Sequence, residues 1–229
     1  MKVTLLNHTQ NPEDTAAQAA RLCYSSSDIK GIVKKYDKKS NESLINKILG
    51  SGHHSVLEHV SFTFGIEGIS RVTSHQLVRH RIASYSQQSQ RYVPFEGKLD
   101  CIVPDTINDN KEALKKYKQA FSDAHAAYKD LINMGVPQED ARYILPNGAE
   151  TKIIVTMNAR ALLHFFELRC CTRAQKEIRD MAKKMLKLVK KKSPTIFQNA
   201  GPKCLTSPCP EGKMSCGKIT EIRKEYSQL

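Results

Sequence analysis

Alternating apolar residues predict three strands in this chain. "VTLL" alternates Val3 with Leu5 at residues 3–6, and "VSFTFGI" repeats large apolar side chains at every second position of 60–66. "TKIIVTM" forms another short apolar run at 151–157. A period of two in a segment of four to eight residues is typical of a half-buried strand.

Apolar residues three and four positions apart predict helices between these strands and after the last of them. We expect helices at 11–24, 69–81, 158–169 and 174–192, and a short helix that begins at 42 and stops near Gly50 or Gly52. A long helix opens at a capping box of Asp109 and Glu112 and ends at Gly135 and Pro137. The polar, lysine-rich residues 25–41 predict a surface loop.

Strands and helices mix without a βαβ rhythm, which favours an α+β fold. The length of 229 residues suits a single domain spanning 1–229. Within it, residues 200–218 form a C-terminal segment rich in Cys, Pro and Gly.

The formal net charge of +13 favours partners that carry negative charge: nucleic acid, an anionic membrane surface, or small molecules with phosphates or carboxylates. No apolar run is long enough for a signal peptide or a membrane span, so we expect a cytoplasmic protein. Seven irregularly spaced cysteines indicate mostly reduced thiols.

"RHRIASYSQQSQRY" at 79–92 concentrates arginines among hydroxyl and amide side chains, as an anion site requires. The predicted helix 69–81 carries Gln76, Arg79 and His80 on adjoining positions. His80 lies between two arginines, so we expect its protonation to be disfavoured. A solvated basic helix end is the alternative. Neither common phosphate-binding glycine loop is present.

Two histidine- or cysteine-rich stretches leave alternatives open. "GHHSVLEH" at 52–59 permits a metal site, a structural junction or a ligand-binding wall, although its spacing differs from the zinc-protease pattern. Cys204, Cys209 and Cys216 permit a metal site or a disulfide, but they are not paired as in a zinc ribbon. We expect free thiols and no metal.

Two arginine-bearing pairs follow the last predicted strand. Arg160 and His164 lie four apart on one face of a predicted helix, and Arg169 and Arg173 form a second pair with that spacing. Solvated helix ends would explain both pairs equally well. Arg142, in "ARYILP", indicates little by itself.

Five of these blocks together resemble the flavin-dependent thymidylate synthases. That family has an Arg-His-Arg triplet followed, after seven residues, by Ser-any-Arg, as Arg79–Arg81 and Ser89–Arg91 are arranged here. "GHHSVLEH", "ARYILP", "TMNARALLHFFELR" and "RAQKEIR" resemble its other blocks in the same order, over about residues 50–180.

The resemblance implies an α+β fold with a small antiparallel sheet, and a homotetramer with active sites between subunits. It implies bound FAD and conversion of dUMP to dTMP. Methylenetetrahydrofolate would donate the carbon and NADPH would be the reductant. No nucleic acid or membrane partner is implied.

The resemblance also assigns residues by motif. The flavin and folate site would be lined by His53, Ser55 and Glu58. FAD would also be contacted by Arg79, His80, Arg81 and Ile82, and from other subunits by Asn158, Arg160, His164, Leu168 and Arg173. The dUMP site would comprise Gln76, Arg79, Gln87, Gln88, Ser89, Gln90, Arg91, Arg142 and Arg169. The family's frequent Asn-Glu is Ser86 and Gln87 here, and Gln90 replaces a frequent glycine.

A chemical role follows for a few of these residues. We expect Arg169, with main-chain donors near Gln88–Gln90, to polarise the uracil carbonyls and to be catalytic. No cysteine lies near Ser89, so a cysteine nucleophile has no evident candidate, and Ser89 lacks a base and is expected to hydrogen-bond only. The alternative function is a basic nucleic-acid-binding protein that uses the helix 174–192.

Overall fold

The computed structural model describes residues 1–33, 37–93, 97 and 99–229. Its strands are β1 (Lys2–His8), β2 (Ser61–Ser70), β3 (Ser84–Gln87) and β4 (Glu150–Asn158). Its α-helices are α1 (Pro12–Leu22), α2 (Ile29–Val33), α3 (Lys38–Ser51), α4 (Arg71–Leu77), α5 (Asp105–Asn108), α6 (Lys111–Asn133), α7 (Gln138–Ala141), α8 (Ala159–Arg169), α9 (Lys176–Lys192), α10 (Pro194–Phe197) and α11 (Ile219–Ser227). Short 3-10 helices cover His54–His59, Arg142–Ile144, Lys203–Leu205 and Gly212–Met214.

The strands form one antiparallel sheet in the order β1-β2-β4-β3, and the predicted α+β class is confirmed. Phe62, Phe64 and Ile66 are fully buried along β2, as their alternation predicts. β3 was missed because its residues, "SYSQ", offer one aromatic side chain and no apolar alternation.

The starts of α3 and α6 differ from the sequence prediction. The segment 25–41 contains α2 and the start of α3, because the Asp37 carboxylate accepts a hydrogen bond from the Ser40 N–H at 2.8 Å and so caps α3 early. Residues 34–36 of that predicted loop lie outside the described residues. α6 is capped by Asn110, whose side chain accepts from the N–H groups of Glu112 and Ala113, and not by Asp109.

The predicted helix 69–81 is also wrong at both ends. β2 continues to Ser70, and the Ser70 hydroxyl accepts from the Thr73 N–H to start α4. α4 already ends at Leu77, so Arg79 and His80 lie beyond the helix and do not share a helical face with Gln76. Arg173 likewise lies beyond α8, which ends at Arg169.

Two compact units can be distinguished, and each of the four strands contains a boundary between them. The first unit comprises 1–2, 66–79 and 85–154. It packs Leu99, Phe121 and Ala149 into a small core, against which Cys101, Tyr117 and Leu145 lie. The prediction of a single domain over 1–229 stays a prediction.

The second unit comprises 3–65, 80–84 and 155–229, with a larger core. Phe197 packs edge-on against Phe62 and Phe166, at centroid distances of 5.5 and 6.1 Å. α9 buries Ile178, Met181, Met185 and Val189 on one side, as predicted. These aromatic and aliphatic contacts give α8 a rigid base. None of the described helices is long and apolar enough to cross a membrane.

Candidate active site

α8 presents a cluster of basic side chains above a buried aromatic ring. Phe165 is fully buried, and the ring of His80 packs edge-on against it with the centroids 4.9 Å apart. Arg169 donates from Nε to Nε2 of His80 at 2.9 Å, and the His164 ring lies edge-on to His80 at 6.4 Å. We call His80, His164, Phe165 and Arg169 the His80 cluster.

His80 is neutral at ordinary pH. Burial, and then the charges of Arg169 and His164, lower its pKa from 6.5 to about 4. The prediction that protonation is disfavoured is confirmed, but the neighbours that lower the pKa after burial are Arg169 and His164, not Arg79 and Arg81. Because Nε2 accepts from Arg169, the ring proton of the neutral imidazole lies on Nδ1.

Burial lowers the pKa of Arg169, which nevertheless stays charged. Its partner is a neutral ring, and no carboxylate of the described residues forms an ion pair with it. The guanidinium is therefore held in place without losing its net positive charge.

Other predicted flavin residues of the second unit are fixed by local contacts. Arg160 pairs with Glu58 at 2.5 Å, and Arg173 pairs with Glu211. The Asn158 side chain accepts from the Ala161 N–H at 2.8 Å and caps α8.

The remaining predicted flavin residues of this unit are largely open to solvent. Ile82 and Leu168 are 73% and 48% exposed, and Arg81, His53 and Ser55 are also exposed. The His53 ring lies 3.5 Å from the Tyr24 hydroxyl. Exposed apolar side chains beside cationic donors suit a flat aromatic ligand that carries phosphates.

The first unit gathers arginines around Glu139. Arg91 forms an ion pair with the Glu139 carboxylate, and Arg142 Nε donates to the Glu139 carbonyl oxygen at 3.0 Å. Burial and the nearby charge of Arg142 lower the pKa of Arg71. We call Arg71, Arg91, Glu139 and Arg142 the Glu139 cluster.

Sequence reasoning missed Arg71 and Glu139. The Arg71 guanidinium is half-buried and makes no hydrogen bond or ion pair with another described residue. One sequence signal was available, because a cation at the first position of a helix opposes the helix dipole and is unfavourable without an anion. A half-buried, unneutralised arginine beside a second arginine indicates an anion site.

Polar side chains from Gln87, the last residue of β3, onward complete the first unit's polar surface. Gln87 donates from Nε2 to the Ser74 and Thr151 hydroxyls at 2.9 and 3.2 Å, so its Oε1 is left as an acceptor. The Ser89 hydroxyl accepts from the Arg91 N–H at 3.1 Å. The Gln88 N–H donates to the Lys152 carbonyl at 3.0 Å, so this main-chain donor is occupied, and a contact of Gln88 with dUMP stays a prediction.

Gln76 and Gln90 are partly buried in this unit, and Arg79 is exposed. The Arg79 N–H donates to the Gln76 carbonyl at 3.4 Å and so forms a turn after the end of α4. The predicted dUMP residues other than Arg169 thus belong to the first unit. The predicted flavin residues other than Arg79 belong to the second unit.

The sequence as a whole is similar to known proteins of one family. A family model described as "Thymidylate synthase complementing protein" matches residues 4–195. A relative from Geobacter sulfurreducens named flavin-dependent thymidylate synthase is 56% identical over 230 residues, covering 100% of this chain and 99% of the relative. The chain belongs to the flavin-dependent thymidylate synthase family.

Two further relatives with this name match over nearly their whole length. The protein from Clostridium tetani is 46% identical, with 99% of this chain and 97% of the relative covered. The protein from Pyrococcus furiosus is 44% identical, with 100% and 98% covered. The family resemblance is confirmed, and the nucleic-acid-binding alternative receives no support from any of these comparisons.

The open question about metal can be addressed for the part of the chain that the structure describes. There, no group of three His, Cys, Asp or Glu side chains stands ready to hold a metal ion. At 52–59, the Glu58 carboxylate pairs with Arg160, and His53 contacts Tyr24. Both a structural junction and a ligand-binding wall are compatible with these contacts.

Proposed function

We propose that this enzyme methylates dUMP to dTMP, with FAD as hydride carrier, methylenetetrahydrofolate as carbon donor and NADPH as reductant. Relatives named flavin-dependent thymidylate synthase match the chain over its whole length, and this observation carries the proposal. The two basic clusters described above supply matching chemistry.

The Glu139 cluster binds the phosphate of dUMP. Arg142 and Arg91 converge on one residue, Glu139, from different segments, and Arg71 adds a third guanidinium without a carboxylate partner of its own. A phosphate dianion offers three oxygens and relieves the repulsion between Arg71 and Arg142. Arg91 exchanges the Glu139 carboxylate for the phosphate, which makes the anion site selective for doubly charged groups.

The polar residues around β3 hold the nucleoside. Gln87 keeps Oε1 free to accept a hydrogen bond from a ribose hydroxyl, because its Nε2 is occupied by Ser74 and Thr151. Gln76, Ser89 and Gln90 add neutral donors and acceptors. With Gln88 occupied, the main-chain donors left for the base are the N–H groups of Ser89 and Gln90.

The donor set of the second unit fits FAD. Arg81, Arg160 and Arg173 provide cationic donors for a pyrophosphate, and Ile82 and Leu168 provide exposed apolar contact for a ring. In the structure, Arg160 pairs with Glu58 and Arg173 pairs with Glu211, and these carboxylates orient the two guanidinium groups. The bound flavin would supply hydride-transfer chemistry.

Arg169 stabilises negative charge that develops on the uracil ring. The neutral His80 fixes the guanidinium through Nε, so its two Nη groups can point at a carbonyl oxygen without reorganisation. A carboxylate in the place of His80 would cancel the charge that the reaction requires. Ser89 has no base among its contacts and only hydrogen-bonds.

The finer assignments belong to the same proposal. The net charge of +13 matches a set of anionic substrates, since dUMP, FAD, NADPH and the folate tail all carry negative charge. The proposed assembly is a homotetramer with active sites between subunits, and the proposed location is the cytoplasm.

One experiment tests the proposal directly. The purified protein is incubated without oxygen with dUMP, methylenetetrahydrofolate, FAD and NADPH, and dTMP is measured by chromatography with mass detection. Formation of dTMP that requires all four components supports the proposal. A protein that binds FAD but forms no dTMP would contradict the reaction. Failure to bind FAD would contradict the cofactor assignment.

A further inference from the structure

Four cysteines from three chain segments surround one small cavity in the second unit. Cys171 follows α8, Cys204 lies in the 3-10 helix Lys203–Leu205, and Cys209 and Cys216 come from the irregular segment after it. The cavity holds about 30 Å³. This volume admits one or two water-sized groups and no organic ligand.

The segment around these thiols has little hydrophobic support. No residue from 205 to 218 is buried. Polar contacts hold it instead, since Arg223 donates to the Cys204 and Ser207 carbonyls and Arg173 pairs with Glu211. A segment with few buried apolar contacts opens at low free-energy cost, so its cysteines can approach one another.

Cys216 has the character of a reactive thiol. It is exposed, and its pKa is lowered, first by the neighbouring Thr172 hydroxyl and then by the Lys218 backbone. The Thr172 hydroxyl is buried and forms no hydrogen bond with any described residue, so it is available to donate one to the thiolate. Exposed thiols with a low pKa are the ones that oxidants attack first.

Cys204 is its chemical opposite. It is buried, and burial raises its pKa, followed by the charges of Cys209, Cys171 and Cys216. Cys204 lines the same cavity as the other three thiols. All seven cysteines are free thiols in the structure. Among the described residues they are not arranged as a metal site.

We propose that Cys216 is a site of reversible thiol oxidation and that Cys204 is its resolving thiol. The oxidant is a low-molecular-weight disulfide. The Cys216 thiolate attacks one sulfur of this disulfide, which breaks the S–S bond, forms a mixed disulfide and releases one small thiolate. The Cys204 thiolate then attacks the Cys216 sulfur and releases the second small thiolate. The protons of both cysteines end on the two released thiols, so the small disulfide is reduced as the protein is oxidised.

Peptide mapping tests this proposal on the full-length protein with its bound flavin. The reduced protein is incubated with glutathione disulfide, free thiols are alkylated, and the tryptic digest is analysed without reduction. Trypsin places Cys216 in MSCGK, Cys204 with Cys209 in CLTSPCPEGK, and Cys171 in CCTR. We expect a linked MSCGK–CLTSPCPEGK pair that persists in Cys209→Ser and is lost in Cys204→Ser and Cys216→Ser.

Cys23→Ser is the matched control, because Cys23 is another exposed cysteine of the same unit. It should leave the linked pair intact, and in the wild type Cys216 should form the mixed disulfide before Cys23 does. A linkage of MSCGK to CCTR, or loss of the pair in Cys209→Ser, would overturn the assignment of Cys204. A Cys216 that reacts no faster than Cys23, or one tightly bound zinc ion that protects it from alkylation, would overturn the site. The wild-type measurement decides the question even if a variant fails to fold.

Discussion

Arg169 donates a hydrogen bond from Nε to Nε2 of His80 over 2.9 Å, so a charged guanidinium is oriented by an uncharged ring. The ring in turn rests edge-on against the buried Phe165. Both partners therefore depend on the hydrophobic core beneath α8. A guanidinium placed in this way keeps its charge and loses its freedom to rotate, which is the arrangement that the electrostatic role proposed for Arg169 requires.

The lowered pKa of His80 makes the stability of the protein depend on pH. Above pH 6.5 the ring is neutral in both the folded and the unfolded chain. As the pH falls from 6.5 toward 4, the unfolded chain gains a proton that the folded one does not, so stability is lost in this window. Because His80 is only half-buried, we expect a loss of about 1–2 kcal/mol.

Urea unfolding at several pH values between 4 and 7 measures this loss. His80→Gln retains an acceptor for Arg169 but cannot titrate, so its stability should change less over the same range. An equal pH dependence in the wild type and His80→Gln would assign the effect to another group.

Arg169 should matter for turnover far more than for flavin retention. Arg169→Ala removes the guanidinium that we propose lies beside the uracil. We expect kcat to fall by about 10²–10³-fold, as it does when an oxyanion-hole donor is lost. Flavin absorbance after gel filtration should stay close to the wild-type value. Arg169→Lys keeps the charge without the planar fork and should give an intermediate rate. Equal losses of rate and of flavin would show that Arg169 is structural.

Strands and helices with a regular apolar period could be predicted from the sequence, whereas elements that begin or end through a polar contact could not. Phe62 and Phe64 predict β2, and Met181 and Met185 predict the buried side of α9. The prediction of a helix over 69–81 failed because the Ser70 hydroxyl starts α4 late and no apolar period marks its end at Leu77.

The candidate site divides in the same way. Motifs identify Arg91, Arg142 and Arg169, because their spacing within short blocks resembles a known family. Motifs do not identify Glu139, which pairs with Arg91, or the proximity of Arg71 to Arg142, since each contact joins distant parts of the chain. Packing brings these groups together, and a single sequence carries no direct record of it.

Arg71 should contribute to nucleotide binding although no motif contains it. In Arg71→Gln the repulsion with Arg142 disappears, so we expect the ligand-free protein to be as stable as the wild type or slightly more stable. The same variant lacks one of the guanidinium groups proposed to bind the phosphate, so the rise in Tm on adding dUMP should be smaller than in the wild type. Thermal unfolding with and without dUMP measures both effects.

Lys152→Gln is the control for Arg71, because it removes an exposed cation from the same unit. Its Tm rise with dUMP should match that of the wild type. If Arg71→Gln gives the full rise, Arg71 does not contact the nucleotide.

Asn158 combines a structural contact with its proposed flavin contact, and substitutions can separate the two. Its side chain caps α8 at the Ala161 N–H, so Asn158→Ala should cost about 1 kcal/mol of stability. Asn158→Ser preserves the cap, since a serine oxygen also accepts from this N–H, but it shortens the side chain and removes its amide. If the flavin role is real, Asn158→Ser should keep the stability of the wild type and still bind flavin more weakly. Urea unfolding and flavin titration on both variants distinguish a direct flavin contact of Asn158 from a role in capping α8 alone. If Asn158→Ser matches the wild type in both measurements, Asn158 does not contact the flavin. Weaker flavin binding by Asn158→Ala would then come from fraying of α8, which also carries Arg160 and His164.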